Sequence, residues 1–205
     1  MAHREDPVIV NAAVRQTLVA AEAVIGENGL NAVLQASGLE RYIGNYPPDD
    51  LEPGVKTSEY ARFNGAIEDV YGRGGRGILK QVGRASFRYA IEEQAILMGL
   101  AGMAMKTLPK KQRIKFILNS LIKALEKSKS DVDVGLEEKA GKVIFAEKTC
   151  AICFGRESDM PICHLYVGKL SEAIRWATGD DYQVKETACI AMGDPYCQFE
   201  VGEPQ

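Results

Sequence analysis

The sequence has no excess of basic charge: 25 Lys and Arg stand against 28 Asp and Glu, for a net charge of −3 and a pI near 5.6. That balance offers no footprint for a phosphate backbone, so nucleic acid is not expected as a partner. Nor is there an apolar run that could cross a bilayer, which takes about 20 residues of helix. The longest, Ala95 to Met105, suits a buried helix or a surface that meets a partner. Met1-Ala2-His3-Arg4-Glu5-Asp6 does not read as a secretory leader, and five cysteines, an odd number, do not suit a disulfide framework. Reduced thiols in a cytoplasm are therefore expected. The chain also lacks a paired CxxC…CxxC zinc signature and any credible nicotinamide or flavin motif. Gly72-Arg-Gly-Gly-Arg-Gly77 has the letters of a dinucleotide fingerprint, but a helical pattern precedes it where a strand is required. It reads as a hinge between two helices.

What is present is an ordinary soluble composition, 46% hydrophobic and 26% charged over 205 residues, enough for one domain with a real core. Val10, Val14, Leu18, Ala21 and Ile25 recur at helical spacing until Gly26 and Gly29 interrupt them. Leu30 to Ala36 forms a second short helix, and residues 44–56 a proline-rich acidic loop. Thr57 or Ser58 caps the next helix, whose stripe holds Tyr60, Phe63, Ile67 and Tyr71. The helix after the hinge runs through Val82, Ala85 and Tyr89 and carries small residues at Gly83, Ala85, Ser86 and Ala90, where a neighbour can approach closely. Met98, Met103 and Met105 make its far end pliable. These stripes read first as core or a dimer seam, and otherwise as the wall of a pocket for a flat hydrophobic molecule. Thr107 and Pro109 open a helix with Ile114, Leu118, Leu121 and Leu125 inward and a lysine-rich face in solvent. From Val132 the period falls to two, turns at Lys139-Ala140-Gly141, and resumes at Val143.

The chemistry concentrates between Cys163 and Cys197. Glu186-Thr-Ala-Cys189, a Gly193-Asp194-Pro195 turn and Cys197 follow a helix that opens at Cys163. Thiolates and a carboxylate around a tight turn are donors that a zinc-type cation accepts, and four of them close its tetrahedron and leave no site for water. Buried free cysteines, behaving as small hydrophobes, are the alternative. One obstacle is geometric. Glu186 and Cys189 are three apart, so a regular strand sends them to opposite faces and a bulge between them is needed. With Ala191 opposite Cys197, Cys189 and Cys197 share a face. His164 is a less favoured substitute for Glu186. Cys150-Ala-Ile-Cys153 adds a second thiol pair; it is expected to be dispensable for metal, though able to compete with Cys163.

The segment from Cys163 to Pro204, and more weakly Gly75 to Glu92, resembles the 4-vinyl reductase (hydrocarbon-binding) domain family. That family includes an accessory protein of bacteriochlorophyll synthesis, and its fold is related to heme nitric-oxide sensors and to TRAPP core subunits. The resemblance implies an α/β (α+β) fold: N-terminal helices packed on a small, mainly antiparallel sheet, with a zinc-stapled C-terminal hairpin. It divides the chain into an N-terminal helical segment, residues 1–56, and a ligand-binding domain, residues 57–205, forming one compact unit. The family's zinc ligands fall on Cys163, Glu186, Cys189 and Cys197. The Cys150/Cys153 pair departs from the family pattern.

By that resemblance the chain is a zinc-containing binding protein for a planar hydrophobic ligand, a chlorophyll-type tetrapyrrole intermediate. It would act as a carrier or accessory in bacteriochlorophyll biosynthesis and photosynthesis, as a homodimer working with enzymes of that pathway. The ligand wall is expected from Tyr60, Phe63, Ile67, Tyr71, Val82, Tyr89, Met98 and Trp176. The alternatives are an enzyme that reduces a vinyl group or removes magnesium from such a ligand, a small-molecule sensor, or a scaffold subunit. No catalytic residue is assigned.

Overall fold

A computed structural model of the chain describes residues 6–93, 107–128 and 132–204. Met98 and the other methionines and glycines expected at the end of the third helix lie outside the described residues.

The chain opens with a short strand, β1 (Val8–Val10), that pairs antiparallel with β2 (Pro53–Lys56). Between them runs α1 (Asn11–Ala36), broken at Gly26, whose φ of 73° and ψ of 164° only glycine adopts without strain. The sequence break at Gly26 is thus a kink between two helical runs. Helix α2 (Thr57–Tyr71) carries the Tyr60 stripe. Its first turn is capped from outside, not by Thr57 or Ser58: Asp6 accepts from the Ser58 amide at 3.0 Å and from its hydroxyl at 2.7 Å. Negative charge at a helix N-terminus also suits the dipole. Gly72–Gly74 makes one turn of 3₁₀ helix, and α3 (Gly75–Glu93) leaves it. The glycine-rich stretch is the hinge its letters permit.

Helix α4 (Lys110–Ser128) buries Ile114, Ile117 and Leu118, while Lys111 and Lys115 reach Glu138 at the surface. The alternating segment becomes a hairpin, β3 (Val134–Lys139) and β4 (Lys142–Glu147), joined by left-handed residues Ala140 and Gly141. After a long loop come α5 (His164–Thr178), β5 (Tyr182–Ala188) and β6 (Cys197–Pro204). The four strands form one antiparallel sheet in the order β3-β4-β6-β5. This is the α+β arrangement the sequence implied, a set of helices on a small antiparallel sheet.

Helix α5 is the centre of the packing. Phe145 and Phe199 on the sheet close on Tyr166, with ring centroids 5.3 to 6.2 Å apart. On its other side α5 meets α3 backbone to backbone. A Cβ on Gly83 would lie 2.0 Å from the Leu165 carbonyl oxygen, and one on Gly168 would lie 2.0 Å from that of Lys80. Gly83 is therefore taken up by this helix crossing, and the space there is filled by α5, not open to a ligand ring. Glu172, buried, ties the same crossing to Arg84 of α3 at 3.1 Å and pairs with Arg175 of its own helix at 3.2 Å.

Candidate metal centre and adjoining cavity

Strand β5 alternates as a half-buried strand should: Val184 and Glu186 point inward while Gln183, Lys185 and Thr187 are exposed. Its pairing with β6 shifts register between Glu186 and Ala188. The extra residue turns Cys189 back to the face that Glu186 occupies, which resolves the three-residue spacing by the bulge expected. The strand ends earlier than its alternation suggested. Ala188, not Ala191, pairs last, opposite Gln198, and Ile190–Met192 form a 3₁₀ turn. The Asp194 carboxylate fixes that turn by accepting from the Cys189 amide at 2.8 Å, and Gly193 closes it with φ of 92°. Cys189 and Cys197 still meet, with sulfurs 4.0 Å apart.

All five cysteines are free, buried and in one cluster. Cys163 Sγ lies 3.7 Å from Cys197, 3.9 Å from Cys189 and 3.5 Å from Cys150, and Cys153 lies 3.4 Å from Cys197. Four sulfurs bound to one zinc at about 2.3 Å stand about 3.8 Å apart, so these separations are close to those of sulfurs that share a tetrahedral metal shell. Two groups of four satisfy that spacing. One is Cys163, Glu186, Cys189 and Cys197; the other is Cys150, Cys153, Cys163 and Cys197; within each, all donors lie within 4.8 Å of one another. His164 belongs to neither. Cys150 and Cys153, expected to stand aside, are brought into the centre because the loop after β4 folds back over the end of β6.

Glu186 is the most telling donor. It is 6% exposed; one carboxyl oxygen accepts from the Cys163 amide at 2.8 Å, and the other, Oε1, is buried without a partner. Burial, with the Cys189 sulfur beside it, pushes this carboxyl up to about 9. A cation at this point would supply the missing partner and restore the ionised form. The amide of Ile190 points at Cys197 Sγ from 3.4 Å, the contact that amides make to metal-bound thiolates.

Next to the cluster the helices leave a cavity of about 250 Å³ among α1, α3, α4 and α5, bounded by Gln16, Phe87, Ile91, Leu121, Tyr166 and Lys169. A smaller space of about 70 Å³ adjoins it, with Tyr60, Glu147, Ala151 and Ile152 in its wall and Tyr166 and Lys169 common to both. Burial lowers the Lys169 ammonium pKa, with the Glu147 carboxylate opposing. The four-residue stretch Cys150–Cys153 therefore has two faces: its ends belong to the cysteine cluster and its middle to the wall of the smaller space.

Of the expected ligand wall, Tyr60 borders the smaller space and hydrogen-bonds Thr17 at 3.0 Å. Phe63, Ile67 and Val82 are fully buried in the core, and Tyr71 and Tyr89 are half-buried against it. Trp176 packs edge-on against Phe87 at 6.5 Å, one residue removed from the cavity. The sequence reading missed Tyr166, Lys169 and Glu147. The signal was available: Lys169 falls on the stripe Ile162, Leu165, Tyr166 and Ala173, a charge where helical spacing demands an apolar residue.

Residues 143–203 match the V4R domain, the 4-vinyl reductase domain to which the Cys163–Cys197 pattern pointed. Over nearly its whole length the chain is similar to the bacteriochlorophyll synthase 23 kDa chain of Cereibacter sphaeroides. The two are 24% identical over 203 residues, covering 98% of this chain and 91% of that one. An uncharacterized protein of Methanocaldococcus jannaschii is 32% identical over 83 residues, 40% of this chain and 35% of its own length. In fold the chain is similar to an H-NOX protein from S. oneidensis in the Fe(II)NO ligation state, with TM-score 0.60 and 13% identity over 96% of this chain and 99% of the other. The Fe(II) unliganded H-NOX protein from K. algicida gives TM-score 0.61 at 11% identity, over 96% and 97%. Among the described residues no helix is long and apolar enough to cross a membrane.

Proposed function

We propose that this chain is a metal-stapled binding protein for a planar, largely hydrophobic molecule of tetrapyrrole type, and that it serves bacteriochlorophyll synthesis as an accessory or carrier. The observation that carries the reading is the cavity: mostly apolar, walled by α5 on one side, and furnished among the described residues with one cationic group, Lys169, beside Tyr166. Its 250 Å³ is just below the range of about 300 to 1,000 Å³ usual for small-molecule sites, so a tetrapyrrole would seat one edge inside and leave the rest to the opening. The similarity to the bacteriochlorophyll synthase chain supplies the pathway, and fold relatives whose heme distortion has been probed supply the ligand class.

Zinc fits the donors Cys163, Glu186, Cys189 and Cys197 by their spacing and by the orphaned Glu186 oxygen. Bound there with four protein ligands it would stabilise the fold and activate no water. Its place beside Cys150–Cys153 makes it a support for the cavity wall. Lys169 would pair with an anionic group on the ligand rim, such as a carboxylate, in a site dry enough for that contact to count.

The test is a titration of the purified, metal-replete protein with a carboxylate-bearing porphyrin and with the ester of the same ring. Saturable binding with a shifted Soret band is expected, tighter for the acid than for the ester. Absence of binding to either ring would overturn the reading.

A further inference from the structure

We infer that the cysteine cluster is a binuclear centre: two divalent cations of zinc type bridged by the Cys163 and Cys197 thiolates. The first ion is completed by Glu186 and Cys189, the second by Cys150 and Cys153. This rests on reading the cluster as a metal centre and adds to it a second ion that the Cys163–Cys197 motif does not call for.

The two groups of four donors share two members, Cys163 and Cys197. Six donors with two in common is the composition of a pair of edge-sharing tetrahedra. The distances follow the same plan. Cys163 touches one donor from each end, Cys150 at 3.5 Å and Cys189 at 3.9 Å. Cys197 does likewise, with Cys153 at 3.4 Å and Cys189 at 4.0 Å. The two shared sulfurs are 3.7 Å apart, the edge that both tetrahedra would have in common.

Donor satisfaction points the same way. A single ion in either group strands two buried donors from the other. With the ion on the Cys150 side, Glu186 keeps a buried oxygen with no partner. With it on the Glu186 side, Cys150 and Cys153 lie against metal-bound sulfurs with nothing to hold. Each donor also has its own positional control. The bulge in β5 turns Cys189 inward, the Asp194 carboxylate pins its amide, and the CxxC turn brings Cys150 and Cys153 to within 4.8 Å of both shared sulfurs.

The experiment uses the full chain, reduced and loaded anaerobically with zinc or cobalt(II), freed of loose metal and assayed for metal per chain. Two ions per chain are expected. Cobalt spectra should show thiolate charge-transfer absorption rising up to two equivalents. The second equivalent should add less EPR intensity than the first, because bridged cobalt ions couple magnetically. Cys150→Ser/Cys153→Ser and Glu186→Gln/Cys189→Ser should each retain one ion, and the wild-type chain decides the matter if either variant fails to fold. One ion per chain in the wild type overturns the pairing but leaves the metal centre standing, whereas no metal at all overturns both. Acid-labile sulfide in the protein would also overturn it, since the bridges would then be sulfides and not Cys163 and Cys197.

Discussion

The cysteine cluster and the cavity lie along the same helix, yet they are specified in opposite ways. At the cluster chemically particular groups converge: five thiols, a carboxylate with one oxygen unpaired, a bulge, and a left-handed glycine behind the turn. At the cavity most of the wall is interchangeable apolar surface from four helices, with a few polar groups such as Gln16, Tyr166 and Lys169 among it. Metal coordination is directional and short-ranged, so its demands are written into residue identity and spacing. Burial of a flat hydrophobic molecule is non-directional and depends on area, so many sequences satisfy it. The cysteine cluster is thus the more narrowly encoded of the two regions, and the cavity the one freer to vary.

Removing the metal should be the most damaging change, because binding energy at a structural site is folding energy, of order 10 kcal/mol for zinc-dependent peptides. A strong chelator under reducing conditions should lower the melting temperature by well over 10 °C, with Cys163→Ser doing the same without chelator. Unchanged melting in both cases would put the cluster on the same footing as ordinary core.

The helix crossing that holds the two regions in register comes next. A side chain at Gly83 must displace the α5 backbone, since its Cβ would meet the Leu165 oxygen at 2.0 Å. Gly83→Val should cost about 3 kcal/mol or more, the upper end for overpacking. In a chain of this length that is a fall of about 6 to 12 °C in calorimetry. Gly77→Ala, where an added Cβ meets nothing within 4 Å, is the control and should leave stability nearly unchanged.

At the cavity the expected effect is smaller and selective. Lys169→Met should weaken a carboxylate-bearing porphyrin about tenfold, the loss of roughly one charge-assisted hydrogen bond, and leave the ester unaffected or slightly tighter. Equal losses for acid and ester would mean that Lys169 shapes the cavity but does not read charge. The smallest effect belongs to Glu172→Gln. Glu172 is buried but Arg84 is about a third exposed, and solvent screening leaves such a pair worth about 1 kcal/mol or less. A shift of no more than about 4 °C in melting is expected.

The same contrast explains what could be read from the sequence. The grouping of Cys163, Glu186, Cys189 and Cys197 was legible through the family resemblance, and the bulge followed from a three-residue spacing that a flat strand forbids. The helices, the hinge at Gly72 and the turn at Ala140-Gly141 were legible from period and glycine placement. What was not legible depended on long-range closure. Cys150 and Cys153 join the centre only because a loop of no fixed period folds back onto β6. Phe63, Ile67 and Val82 face core, not cavity, a distinction that helical spacing cannot draw. The crossing at Gly83 and Gly168 needed both helices in place before either glycine had a partner.

The two regions meet through Cys150–Cys153, whose ends belong to the cysteine cluster and whose middle residues, Ala151 and Ile152, line the smaller space that adjoins the cavity. Porphyrin affinity of the metal-replete protein, measured against the same protein after metal removal and with helix content followed by circular dichroism, tests that join directly. An affinity at least tenfold weaker in metal-free protein that keeps most of its helix is predicted. Equal affinity in the two forms would contradict it.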